Sequence, residues 1–128
     1  MPFNESALYA IAAKFHLDSA LLLVGERKYS AAAKLIFLGT GFSQIIGDRT
    51  SVNTHMLNLI QLGRLPRRIA KKIPQEIRNP ESYAKQFIQD IEHRPDLSFL
   101  LNGDSEKIYR AVSIHYNMQT RRTKLPRI

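Results

Sequence analysis

Cysteine is absent from all 128 residues, which excludes a disulfide framework and any thiolate metal site. Long apolar runs are missing as well. The longest strongly apolar one, Ala20-Leu-Leu-Leu-Val24, falls far short of the roughly 20 residues that span a bilayer. The opening residues, Met1-Pro-Phe-Asn-Glu5, offer neither a basic n-region nor a compact apolar h-region. No signal peptide is therefore expected, and the chain is expected to be cytoplasmic. β-branched alternating runs are scarce, so strands are not expected. The four histidines, His16, His55, His93 and His115, share no His-x-x-x-His or Glu-x-x-His spacing, so no metal site is expected. Each reads as a surface or interfacial residue, with His115 the one closest to a packed stripe.

Catalytic patterns are equally scarce. Asp90 and Glu92 do not share a helix face, and Asp104 and Glu106 read as acids at a helix start. Gly39-Thr-Gly41 lacks the lysine and the spacing of a phosphate-binding loop, and reads as a helix break where two helices pack closely. Ser43 has no histidine and carboxylate arranged around it. Neither an enzymatic activity nor a cofactor is expected.

What the chain does contain is helical periodicity. Its 44% hydrophobic and 23% charged residues match an ordinary globular chain. A chain of this length is expected to form one domain that buries roughly two-thirds of its unfolded surface. Asn4 or Ser6 can cap a first helix that continues to Val24, and Gly25 to Lys28 make a turn. Ser30 can cap a second helix, interrupted at Gly39-Thr-Gly41. Ser51 can cap a third, with Val52, Met56, Leu59 and Ile60 at helical spacing and Gly63 closing it. Asn79-Pro80-Glu81 opens another with Tyr83, Phe87, Ile88 and Ile91 inward, ended at Arg94-Pro95. Leu97, Phe99, Leu100 and Leu101 form an apolar plug, and Asp104 caps a last helix carrying Ile108, Ala111, Val112 and His115. The expected fold is all-α, a compact bundle of five or six helices with a basic face. Residues 1–120 form the helical domain and 121–128 a basic tail.

The charge is the informative feature. The chain carries a formal net charge of +8 and a sequence pI near 10.1. Residues 1–63 hold five cations against four acids, and residues 79–109 are net acidic. The excess sits in two blocks: Arg64, Arg67, Arg68, Lys71, Lys72 and Arg78 against the single acid Glu76, then Arg110, Arg121, Arg122, Lys124 and Arg127 with no acid. Within the first block Leu65, Ile69, Ile73 and Ile77 recur at four-residue intervals. That spacing gives a helix one apolar and one cationic face, and two basic blocks on a small domain suit a phosphate backbone. Arg64, Arg67, Arg68, Lys71, Lys72, Arg78, Arg110, Arg121, Arg122 and Lys124 are the expected nucleic-acid contacts.

Base readers are few in the block, and no aromatic lies inside it, so backbone tracking is expected over sequence readout. Tyr83, Tyr109 and Tyr116 can stack bases if exposed, whereas core positions are expected for Tyr83 and Tyr109. Two architectures fit. Val52–Leu62, the Gly63 turn and Pro66–Ile73 can form a helix-turn-helix, though its second helix is short and ends at Pro74. Alternatively the bundle is one unit of a nucleoprotein assembly. The size, helix content and cationic set Arg64, Arg67, Arg68, Lys71 and Lys72 with the Arg121-Arg122 tail resemble the small helical subunit of CRISPR effector complexes. That resemblance covers the whole chain without a diagnostic motif. It implies a non-catalytic subunit tracking single-stranded DNA or RNA beside other protein subunits, copies of itself among them. An adaptor docking an acidic protein partner is the third reading of the same cations.

Overall fold

The computed structural model describes residues 4–48, 51–77 and 79–123, excluding the side chains of residues 51–53 and 121–123. Among them every regular element is helical: α1 (Glu5–Gly25), α2 (Tyr29–Ile45), α3 (Ser51–Gln61), α4 (Arg67–Glu76), α5 (Pro80–Glu92), α6 (Pro95–Ser98), a 3-10 turn (Phe99–Asn102) and α7 (Ser105–Thr123). That makes seven α-helices among the described residues, not five or six. The extra one is a single turn, because Pro95 ends nothing new but supplies a preset φ for the first position of α6.

Caps account for several boundaries. The Ala7 N–H donates to Asn4 Oδ1 at 3.3 Å, and the Ser82 N–H to Asn79 Oδ1 at 3.0 Å. The Lys107 N–H donates to Asp104 Oδ1 at 3.0 Å, so all three side chains satisfy donors that a helix start leaves unpaired. Ser30 does not cap α2, which begins one residue earlier at Tyr29 with Lys28 in the cap position. The expected Ser51 cap and the inward Val52 lie outside the described side chains.

Helix α2 organises the core. It packs against α1, α3, α4 and α5, while α7 closes over α1 and the 3-10 turn. Its buried residues run without gap from Leu38 to Ser43, and a helix apolar on all sides belongs in the interior. Gly39 and Gly41 do not break it. A Cβ on Gly41 would collide with the Pro80 carbonyl, so the glycine lets the start of α5 press against α2. The close packing expected there is present, and the expected interruption is not.

Around this crossing lies an aromatic cluster. His16 is fully buried, with its ring centroid 4.9 Å from Phe42, 5.4 Å from Phe87 and 5.5 Å from Tyr116. It is a core residue, contrary to the surface role expected for it. Tyr116 is fully buried too, and Tyr83 lies half-buried in the same cluster. Neither the Tyr83 nor the Tyr116 ring is free to stack a base. Tyr109 ties α7 to α1, its hydroxyl donating at 2.9 Å to Asp18, which Lys14 Nζ also contacts at 2.9 Å. Partial burial, then that carboxylate, push the Tyr109 phenol up to about 12. The apolar plug holds only in part: Leu97 and Leu101 are buried, but Phe99 is exposed.

Helix α1 is long and apolar enough to cross a membrane by composition, with a mean hydropathy of 1.5 over its most apolar window. Just over half of that window, 56%, is buried inside the bundle. Such burial is what a central core helix requires.

Candidate nucleic-acid interface

The basic stretch begins where α3 stops. Gly63 adopts φ +70°, a left-handed conformation that glycine enters without a Cβ penalty. The turn directs the Gly63 N–H to the Ile60 carbonyl at 3.0 Å and the Arg64 N–H to the Leu59 carbonyl at 2.9 Å. Leu65 then drops into the core, and its N–H also reaches the Leu59 carbonyl at 3.1 Å. Pro66 is extended, with ψ 128°, and its carbonyl accepts from the Ala70 N–H at 3.2 Å, which starts α4.

Helix α4 places its side chains as the spacing requires. Ala70 and Ile73 are buried, and Ile69 and Ile77 pack against the same core. At about 100° per residue, Arg67, Lys71, Arg68 and Lys72 fan across an arc of roughly 140° on the opposite side. All four are exposed, as is Arg64 in the preceding turn. None of the five joins an ion pair among the described residues. Pro74 does not end the helix. It lies inside α4, which continues to Glu76, and the Ile77 N–H still closes on the Ile73 carbonyl at 2.9 Å.

The remaining expected contacts are not gathered there. Arg110 is exposed on α7, a helix that packs on α1 and not on the α2 face that carries α4. It shares a cleft with Asp104, Glu106, Lys107 and Tyr109, two acids and one further cation among them. Arg78, Lys124 and the side chains of Arg121 and Arg122 lie outside the described residues.

One contributor escaped the sequence reading. Lys34 of α2 lines a cleft of about 370 Å³ with Ser30 and Ala31 of the same helix and Ile69, Lys72, Ile73 and Glu76 of α4. The available signal was that Lys34 is the only charged residue in α2. In a largely buried helix, a lone charge has to emerge at an edge.

Two clusters elsewhere have titratable groups but a different character. Asp90, His93, Arg94, Asp96 and His115 line a shallow cleft between α5 and α7. There Arg94 binds Asp96 through two hydrogen bonds, of 2.6 and 3.1 Å, and the His115 ring lies 3.9 Å from Asp90. The Arg94 guanidinium, through those bonds, holds the Asp96 carboxyl below its usual range. Glu92 is raised by partial burial and then by the Glu5 carboxylate, a proximity that the sequence did not reveal. Among the described residues no three acidic or histidine side chains converge as a metal site would need.

A scan against protein-family models finds no matching family, and comparisons with curated proteins and with solved structures find no match.

Proposed function

We propose that this protein is a non-catalytic nucleic-acid-binding subunit of a ribonucleoprotein complex, gripping the phosphate backbone largely without sequence preference. The observation that carries this reading is the surface of α4 and the turn before it: Arg64, Arg67, Arg68, Lys71 and Lys72 are all exposed, and none of them is ion-paired to a carboxylate among the described residues. Arginine forks fit phosphate oxygens in pairs, and lysine adds mobile point charges. Helix α4 itself is held by Ala70 and Ile73 in the core, so the cations stand on a rigid support.

The helix-turn-helix reading gains less from the fold. Helices α3 and α4 each pack against α2, and hardly against one another. A recognition helix is normally braced by the helix before it. Exposed Leu57, Leu62 and Phe99 supply apolar surface for companion subunits, in keeping with a component of a larger assembly. The setting we favour is a CRISPR-type antiviral complex, on the strength of size, helix content and charge.

The test is a titration of single-stranded RNA, single-stranded DNA and duplex DNA at several salt concentrations. The expected result is binding whose logarithm falls linearly with the logarithm of salt, with little dependence on sequence. Absence of binding to all three at low salt would overturn the proposal, and preference for a palindromic duplex would replace it with the alternative of a helix-turn-helix DNA-binding transcriptional regulator.

A further inference from the structure

The cleft between α2 and α4 contains a residue that a plain phosphate clamp would avoid. Glu76 is the single acid between Arg64 and Arg78, and it is the last residue of α4. A carboxylate there meets the negative end of the helix dipole and also repels phosphate. Neither Lys34 nor Lys72 offsets it, because no ion pair within 4.0 Å joins either lysine to Glu76 among the described residues. Positions that break local rules without such compensation are where function is concentrated.

We infer that this cleft seats one ribonucleotide of the bound strand. The phosphate lies between Lys34 and Lys72, the sugar rests over the apolar floor of Ala31 and Ile69, and the Glu76 carboxylate accepts a hydrogen bond from the ribose 2′-hydroxyl. At about 370 Å³ the space is at the small end of ligand sites, enough for one nucleotide and not for a stacked pair. A carboxylate only accepts, so it selects a hydroxyl donor, and the 2′-hydroxyl is the group by which proteins tell RNA from DNA. DNA would meet the repulsion from Glu76 without the compensating bond. This inference rests on the nucleic-acid reading above and adds to it a preference for RNA.

The experiment compares three labelled single strands of one unstructured sequence by fluorescence anisotropy: RNA, DNA and 2′-O-methyl RNA. The methylated strand keeps the ribose pucker but has no 2′ hydrogen to donate. The expected result is that RNA binds about tenfold more tightly than either of the others, the worth of one charge-assisted hydrogen bond. In Glu76→Gln, DNA binding should tighten as the repulsion disappears, while the RNA advantage shrinks to about twofold. Lys34→Ala should weaken RNA and DNA alike and lower the salt slope by about 0.7, with helicity unchanged by circular dichroism. Equal affinity for RNA and DNA, a methylated strand that binds as tightly as RNA, or a preference that survives Glu76→Gln would each overturn the ribonucleotide assignment and leave the nucleic-acid reading standing. Failure of all three strands to bind at low salt would overturn both.

Discussion

His16 is held in one tautomer by two hydrogen bonds. Its Nδ1–H donates to the Ala12 carbonyl at 2.8 Å, which leaves Nε2 to accept from the Tyr83 hydroxyl, also at 2.8 Å. Burial among aromatic rings penalises the imidazolium, and this outweighs the opposing backbone bond, so the pKa is lowered to about 4 from an unfolded value near 6.5. The folded protein therefore resists protonation that the unfolded chain accepts. The stability from neutral His16 is complete above about pH 6.5 and is lost as pH falls towards about 4, a drop of roughly 3 kcal/mol. Urea melts between pH 7 and pH 4 should register that loss, and His16→Leu should flatten this part of the profile. Tyr83→Phe removes the donor to Nε2 and strands a buried acceptor, so it should destabilise the fold at pH 7 by about 1–3 kcal/mol. A change under about 0.3 kcal/mol would mean that the 2.8 Å contact contributes nothing.

At the scale of elements, two rule-breaking residues sit inside helices, and they act in opposite ways. Gly41 costs α2 some backbone entropy, yet the Pro80 carbonyl occupies the space a Cβ would need. Gly41→Ala should therefore separate α2 from α5 and destabilise by about 1–3 kcal/mol, measured as a lower urea midpoint with an unchanged m-value. Pro74 interrupts the hydrogen-bond ladder of α4 and is exposed, with no packing to offset the loss. Pro74→Ala should raise stability by about 1–3 kcal/mol, and a drop would mean that the proline stabilises the native backbone.

The same two residues mark how far the elements were legible. The starts of α1, α5 and α7 could be read from Asn4, Asn79-Pro80 and Asp104, because capping is local chemistry. The uninterrupted passage of α2 through Gly41 and of α4 through Pro74 could not, because tertiary packing of Phe42 and Ile73 overrides local propensity. His16 was misjudged for a related reason. Its burial depends on Tyr83, a hydrogen-bond partner far along the chain. In the candidate interface, the exposure of Arg67, Arg68, Lys71 and Lys72 followed from periodicity within one helix. The contribution of Lys34 needed the packing of α2 on α4, which a pattern within one helix does not reveal.

For the whole molecule, the quantity that tests the proposed function is how many phosphates the surface would neutralise. The formal charge of +8 sets an attractive field, but only cations in contact with phosphate release condensed counterions. On a single strand, the slope of log K against log salt falls by about 0.7 for each such contact removed. Replacing Arg67, Arg68, Lys71 and Lys72 together by alanine should flatten the slope by about 3 and abolish measurable binding near physiological salt. Helicity should be retained, because all four side chains lie outside the core. Arg110→Ala should leave the slope within about 0.3 of the parent, since that side chain lies on another helix beside Asp104 and Glu106. The pair of measurements separates a local footprint from a diffuse field. If the two variants lose similar slope, charge acts through the whole surface and α4 has no special standing. If only the α4 variant loses it, the strand lies along that helix, with the α2–α4 cleft beside it.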